Sequence, residues 1–173
     1  MGDNYPKVRV AAVQAASVLL DRETTVQKAC KLIKEAGNSK ANLVVFPEGF
    51  IPAHPIWYHF YPATSQTAIE FSVELFKNSV EVPGREIEEL CKSARESHIY
   101  TIIGFCEKLP NTTGTRYNSQ VIITSEGVII GTRRKIMPTV GERLVHFFSY
   151  ISIVSSPDYS RKENAYQNNE IIF

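Results

Sequence analysis

The stretch NLVVFPEGF, residues 42–50, decides the fold class. It begins as a continuous apolar run, which is typical of a strand covered on both faces. Pro47 ends the run and Glu48 follows at once. A carboxylate at the end of such a strand lies where open α/β sheets place their ligands. The stretch therefore predicts an α/β sheet with Glu48 as a candidate general base, although an exposed loop glutamate would fit the same position.

The segments on both sides of this stretch alternate between strand and helix periodicity. Short β-rich apolar runs predict further strands over residues 8–15, 100–109, 118–124 and 128–136. Helical spacing of apolar residues predicts helices over residues 23–36, 67–78 and 85–97. The resulting order is β-α-β-α-α-β-β-β. The prolines of residues 49–64 exclude a long helix or a central strand there and predict a loop.

Three consecutive cations, Arg133, Arg134 and Lys135, fall at the end of the last predicted strand. Successive side chains of a strand point to opposite faces, so Arg133 and Lys135 share one face and Arg134 takes the other. A lysine that points inward here would stabilise an oxyanion or a tetrahedral adduct. The alternative interpretation is a solvated basic strand end.

The composition excludes several classes of protein. With 43% hydrophobic and 21% charged residues and a net charge of +1, the 173-residue chain matches a soluble globular protein without a nucleic-acid partner. The N-terminus lacks an apolar signal segment, and no apolar run approaches the roughly 20 residues of a membrane span. We therefore expect a cytoplasmic protein that does not enter membranes. The three cysteines have neither metal-ligand nor disulfide spacing, and His54 and His59 lack a third ligand.

Several motifs, in order along the chain, resemble the nitrilase superfamily of carbon-nitrogen hydrolases. AVQA at residues 12–15 resembles the family's opening strand, and FPEGF at residues 46–50 resembles its glutamate motif. RKIMPT at residues 134–139 resembles the lysine motif, and YNS at residues 117–119 matches a further family position. The resemblance covers about residues 7–146.

This resemblance implies a fold and a mechanism. The fold would be part of the α-β-β-α sandwich of the family. Glu48 would act as the general base, Lys135 would stabilise the tetrahedral intermediate, and Glu142 would be the second glutamate, which positions the site. The family's cysteine nucleophile attacks a nitrile or amide carbon and forms a covalent acyl enzyme that water cleaves. The family uses no metal and no cofactor, and complete members assemble into homo-oligomers.

The family's nucleophile has no counterpart here, because no cysteine occurs between Lys135 and Phe173. We interpret residues 1–146 as the N-terminal part of a truncated hydrolase domain and residues 147–173 as a divergent, poorly ordered tail. Cys106 precedes Lys135 on a strand that is structural in the family, so core packing is its expected role. The isolated chain is therefore predicted to be inactive. The alternative is a non-catalytic subunit that acts through protein-protein contacts.

The loop that follows Glu48 would line the substrate pocket, by the same resemblance. His54, Trp57 and Tyr58 are its candidate substrate-binding residues, and packing within the loop is the alternative role for the two aromatic residues. Nitrilases usually have Gly-Tyr-Pro where this chain has AHP at residues 53–55. The loop and MPT at residues 137–139 favour the nitrilase branch, which converts a nitrile to a carboxylic acid and ammonia. Amide hydrolysis is the near alternative.

Overall fold

The computed structural model describes residues 6–147, and the tail predicted from residue 147 onward lies, except for Phe147, outside the described residues. The strands form one five-stranded sheet in the order of the chain. They are β1 (Val10–Ala12), β2 (Leu43–Val45), β3 (Tyr100–Lys108), β4 (Arg116–Ile123) and β5 (Ile129–Arg134). The first three strands are parallel, and the last three are antiparallel. Parallel neighbours need crossover connections, which the helices provide.

Three α-helices provide these connections and match the predicted order of elements. They are α1 (Arg22–Asn38), α2 (Gln66–Asn78) and α3 (Arg85–Glu96). Helix α1 begins after Asp21, whose carboxylate accepts a hydrogen bond of 2.9 Å from the backbone N–H of Thr24. In residues 6–147, none of the helices combines the length and the apolar character that crossing a bilayer requires.

Helix α1 continues through Gly37, where the sequence predicted its end. A Cβ on Gly37 would lie 2.8 Å from the carbonyl oxygen of Ser97, which directly follows α3. The glycine therefore permits close packing between the ends of two helices rather than terminating one of them.

Helices α1 and α3 cover one face of the sheet. Ile33 of α1 and Leu90 of α3 are fully buried in one apolar cluster with Val44 of β2 and Ile103 of β3. On the opposite face, Leu43 and its neighbours Val45, Ile102 and Ile122 are only half-buried. The prediction that residues 42–46 form a strand covered on both faces is therefore wrong within residues 6–147, where one face of β2 is covered and the other is half-buried.

Strand β1 is shorter and more exposed than predicted. It spans three residues instead of residues 8–15, and Val8 and Val10 are 62% and 54% exposed. The reason is its place at the edge of the sheet that residues 6–147 form, where β2 is its one partner. An edge strand lacks a second partner, and short edge strands limit unwanted pairing.

The predicted loop over residues 49–64 contains a short 3-10 helix, Ile56–His59. Trp57 from this helix is buried in a second apolar cluster with Leu75 of α2 and Cys106 of β3. Cys106 alternates with Phe105, which belongs to the first cluster, so the second cluster lies on the face opposite α1 and α3. This cluster anchors the loop beside the end of β3.

Candidate active site

The turn that carries Glu48 lies directly against β3. A Cβ on Gly104 would be 2.6 Å from the carbonyl oxygen of Pro47 and 2.8 Å from the nitrogen of Gly49. Gly49 itself has a φ of +60°, a left-handed conformation that glycine adopts without strain. Two glycines, one in the turn and one in the strand beneath it, therefore fix the position of Glu48.

Lys135 lies between two carboxylates. It follows β5, and its backbone N–H donates to the carbonyl oxygen of Asn118 at 2.7 Å. Its Nζ donates to Oε1 of Glu48 and to Oε2 of Glu142, both at 2.8 Å. The structure thus brings together the three predicted catalytic residues from the end of β2, the end of β5 and the 3-10 helix Val140–Leu144.

The preceding residue, Arg134, points to the other face of the sheet. Its Nε donates to a carboxylate oxygen of Glu107 at 2.9 Å, and its guanidinium lies 4.2 Å from the ring centroid of Tyr117. Ser119 donates to the same carboxylate at 2.7 Å. The prediction that Arg134 and Lys135 point to opposite faces is confirmed.

Glu142 is a buried carboxylate that is saturated with hydrogen-bond donors. The backbone N–H and the hydroxyl of Thr139 donate to its Oε2 at 2.7 and 2.6 Å, and Asn118 donates to its Oε1 at 2.9 Å. Burial alone would raise the pKa of Glu142, but these donors and Lys135 outweigh it and lower the pKa to about 2. Glu142 is therefore an anion at neutral pH and suits a positioning role.

Lys135 and Glu48 are more accessible than Glu142. Their side chains are 31% and 50% exposed, against 1% for Glu142. Burial opposes the charge of Lys135, but the hydrogen bonds to Glu142 and Glu48 outweigh it and raise the lysine pKa. The site therefore presents a fixed ammonium, which suits a developing negative charge, beside a carboxylate that a substrate can reach.

Glu48, Lys135 and Glu142 form a polar cluster, and two of them, together with His54, are potential metal ligands. Carboxylate oxygens of Glu48 and Glu142 and a ring nitrogen of His54 lie within 4.8 Å of one another. The ammonium of Lys135 is already within 2.8 Å of both carboxylates, where a cation would lie. A metal ion would have to displace it against charge repulsion, so this arrangement fits an ammonium better than a metal.

The three candidate substrate-binding residues separate into two groups. A ring nitrogen of His54 lies 3.0 Å from the Tyr58 hydroxyl, and a Cβ on Gly141 would lie 2.2 Å from the Tyr58 ring. Burial and the charge of Glu142 raise the pKa of Tyr58. His54 and Tyr58 thus border the cluster. Trp57, 5% exposed, instead packs against Phe71 at 5.4 Å between ring centroids.

The three cysteines are not activated as nucleophiles. Cys106 is fully buried, its thiol lies 3.5 Å from the carbonyl oxygen of Ala53, and burial raises its pKa to about 12. The predicted core packing of Cys106 is confirmed. Cys30 and Cys91 are half-buried, and burial raises their pKa values as well.

Asn118 is a site residue that the sequence analysis did not identify. Its side-chain nitrogen donates to Glu48 as well as to Glu142. In the sequence it appeared only as the middle residue of a motif match. The available clue was its place at the start of a predicted strand, because asparagine is depleted in strands and a buried amide needs partners.

His146 is a buried imidazole close to the cluster. It is 3% exposed, and within residues 6–147 neither ring nitrogen has a hydrogen-bond partner. Burial, assisted by the positive charge of Arg116, lowers the pKa of His146 from 6.5 to about 4. The charge of Glu142 acts in the opposite direction, and the charges of His54 and Lys135 reinforce the shift.

We expect His146 to make the fold sensitive to acid. Below pH 6.5 the unfolded chain binds a proton that folded His146 does not bind until about pH 4, so stability falls between these values. The loss from pH 7 to pH 4 is about 3 kcal/mol from this group. Urea denaturation at both pH values should show a smaller loss for His146→Leu than for the native chain.

The matched control is the exposed His98, which has a φ of 49° that asparagine tolerates. His98→Asn should keep the pH dependence of the native chain. Equal pH dependence in the native chain and in His146→Leu would contradict the assignment.

Comparison with known proteins defines the class of protein to which this fold and site belong. A sequence profile of the carbon-nitrogen hydrolase family matches residues 9–158. The chain belongs to this family of hydrolases, and the predicted membership of the nitrilase superfamily is confirmed.

The relatives include nitrilases. The chain is 37% identical over 142 residues to the nitrilase of Bacillus sp. (strain OxB-1). This alignment covers 82% of this chain and 40% of the relative. It is 40% identical over 139 residues to the arylacetonitrilase of Aspergillus oryzae (strain ATCC 42149 / RIB 40), and the alignment covers 80% of this chain and 40% of the relative. The chain thus spans about 40% of the length of these relatives.

A solved structure shares the fold. The carbon-nitrogen hydrolase from Helicobacter pylori G27 superposes with a TM-score of 0.62 at 21% sequence identity. The match covers 83% of this chain and 46% of that chain. The predicted α/β fold of the nitrilase type is confirmed.

Proposed function

We propose that this chain supplies the general base and the ammonium of a nitrilase-type active site, which converts a nitrile to a carboxylic acid and ammonia. The observation that carries the proposal is the position of the Lys135 Nζ, 2.8 Å from carboxylate oxygens of both Glu48 and Glu142. The sequence relationship to a nitrilase and an arylacetonitrilase supports the nitrile as the substrate class.

The proposed reaction begins with a cysteine thiol, which loses its proton to Glu48 as its sulfur attacks the nitrile carbon. A carbon–sulfur bond forms, one carbon–nitrogen π bond breaks, and Glu48 passes the thiol proton to the nitrogen to give a thioimidate, which leaves Glu48 ionised again. Water, deprotonated by Glu48, then adds to the thioimidate carbon, and both of its protons pass through Glu48 to the nitrogen. The carbon–nitrogen bond breaks, ammonia leaves, and an acyl enzyme remains. A second water, deprotonated by Glu48, releases the carboxylic acid and the thiol.

The other two residues support these steps. The ammonium of Lys135 faces the negative charge that develops on the adducts, and a preorganised charge needs no reorganisation during the reaction. Glu142 holds that ammonium in place. The thiol is the part that residues 6–147 do not supply in a reactive form, because Cys106 is fully buried. We therefore propose that the chain is inactive by itself.

The proposal extends to the setting of the protein. Four apolar side chains near the site are strongly exposed, namely Ile136 (54%), Met137 (60%), Val140 (90%) and Leu144 (60%). Exposed apolar patches promote association, which supports assembly into homo-oligomers. The three free thiols support a cytoplasmic location, where cysteines stay reduced.

The function is tested by restoring a complete site. Residues 1–147 are joined to the remaining part of the Bacillus nitrilase, and ammonia release from phenylacetonitrile is measured. Lys135→Met should lower kcat/KM by about 10²–10³-fold, because the charge that stabilises the adducts is lost. Circular dichroism checks that the variant is folded.

The control is Arg133→Met, which removes a neighbouring exposed cation outside the cluster and should leave kcat/KM essentially unchanged. A joined protein that hydrolyses the nitrile equally well with Lys135→Met contradicts the proposed role. A joined protein that binds an intact relative but releases no ammonia favours the non-catalytic subunit instead.

A further inference from the structure

We propose that Asn118 is a positioning residue of this site, whose side-chain amide holds the carboxylates of Glu48 and Glu142 in place around Lys135. The role of Asn118 in catalysis rests on the proposed function. The contacts that define it do not, because they can be measured without any reaction.

Asn118 contacts each of the three predicted catalytic residues. Its side-chain nitrogen donates to Oε1 of Glu48 and, at 2.9 Å, to Oε1 of Glu142. Its backbone carbonyl oxygen accepts a hydrogen bond of 2.7 Å from the backbone N–H of Lys135. Within residues 6–147, one side chain and its own peptide group thus link segments that are 70 and 24 residues away in sequence.

The hydrogen-bonding capacity of an amide fits this role. The NH₂ group has two hydrogens, and each is directed to a different carboxylate. An amide N–H can only donate, so it favours an ionised carboxylate on both sides. The amide is also uncharged, and it satisfies two anions without adding a second cation that would compete with Lys135.

The position of Asn118 in the sheet makes the amide a rigid support. Strand β4 is paired on both sides, with Asn118 opposite Cys106 of β3 and bonded to Lys135 just after β5. The residue is 5% exposed. Side chains on paired strands are held more closely than those on loops, so Asn118 fixes two carboxylates that arise from a turn and a 3-10 helix.

The test replaces Asn118 by aspartate in the 173-residue chain. Asn118→Asp has nearly the same shape but places a third carboxylate against the two carboxylates that share the Lys135 ammonium. Crowded carboxylates cannot all remain ionised, so one carboxyl group should titrate above about pH 5.5. The measurement is carbon-13 NMR of the Asp and Glu carboxyl groups from pH 4 to pH 8.

Gln120→Glu is the matched control. Gln120 lies two residues along the same strand and on the same face, outside the cluster. The substitution adds the same charge and should add only a carboxyl group that titrates in the ordinary range. Identical titrations for Asn118→Asp and Gln120→Glu would overturn the proposal.

A measurement on the unsubstituted chain decides the matter if Asn118→Asp does not fold. Both side-chain amide protons of Asn118 should resonate downfield and exchange slowly at neutral pH, in contrast to those of Gln120. Fast exchange of either Asn118 proton in the folded chain would overturn the proposal. Neither measurement uses ammonia release, so failure here is distinct from failure of the proposed function.

Discussion

The 173-residue chain is expected to release ammonia from a nitrile about 10⁶-fold more slowly than a complete nitrilase, which is no release above background. The covalent mechanism needs a thiolate beside Glu48. Cys106 is fully buried, and burial raises its pKa to about 12, so this thiol stays protonated at neutral pH. The measurement compares ammonia release by the chain and by the Bacillus nitrilase at equal protein concentration.

Cys106→Ala separates the two ways in which this expectation would fail. Steady ammonia release by the chain that persists in Cys106→Ala would contradict a cysteine mechanism altogether. Release that disappears in Cys106→Ala would instead identify Cys106 as a nucleophile and contradict its assignment to the core.

Removal of the Glu107 carboxylate is expected to destabilise the fold by about 3–5 kcal/mol. Glu107 is 3% exposed, and the side chain of its partner Arg134 is 16% exposed. Glu107→Leu leaves a largely buried guanidinium without its carboxylate and the Ser119 hydroxyl without its acceptor. A loss of this size is a large part of the total stability of a small domain. Urea denaturation at neutral pH measures it.

Two comparisons test the cause of this loss. The double variant Glu107→Leu/Arg134→Leu should recover much of the stability, because it removes the buried guanidinium together with its carboxylate. Glu81→Leu removes an exposed partner of Lys108, at 3.5 Å, and should change stability by about 1 kcal/mol or less. The assignment is wrong if Glu107→Leu costs no more than Glu81→Leu.

The order of helices and strands was predictable because local periodicity determines it. Apolar residues such as Ile33 and Leu90 recur at helical spacing and are the residues that α1 and α3 bury. Glu48 and Lys135 were predictable because each follows a strand end within a short motif. Alternation along a strand was enough to separate Arg134 from Lys135.

Contacts between distant segments were not predictable from local pattern. The Asn118–Glu48 hydrogen bond joins residues 70 apart, and the Glu107–Arg134 pair joins residues 27 apart. The exposure of β1 depends on its place at the sheet edge, which periodicity does not encode. Trp57 illustrates the same limit, because only the packing of α2 shows that its ring lies in an apolar cluster.

Because Gly104 has no side chain, two properties of the loop that follows β2 depend on different parts of the chain. Because the turn with Glu48 rests on bare strand backbone, β3 determines where the backbone of Glu48 lies. Divergence of the side chains at Ala53, His54 and Pro55 can therefore alter the surroundings of the Glu48 carboxylate while β3 still holds the turn. The sheet thus sets the position of the turn, and the loop sets the surface around the carboxylate.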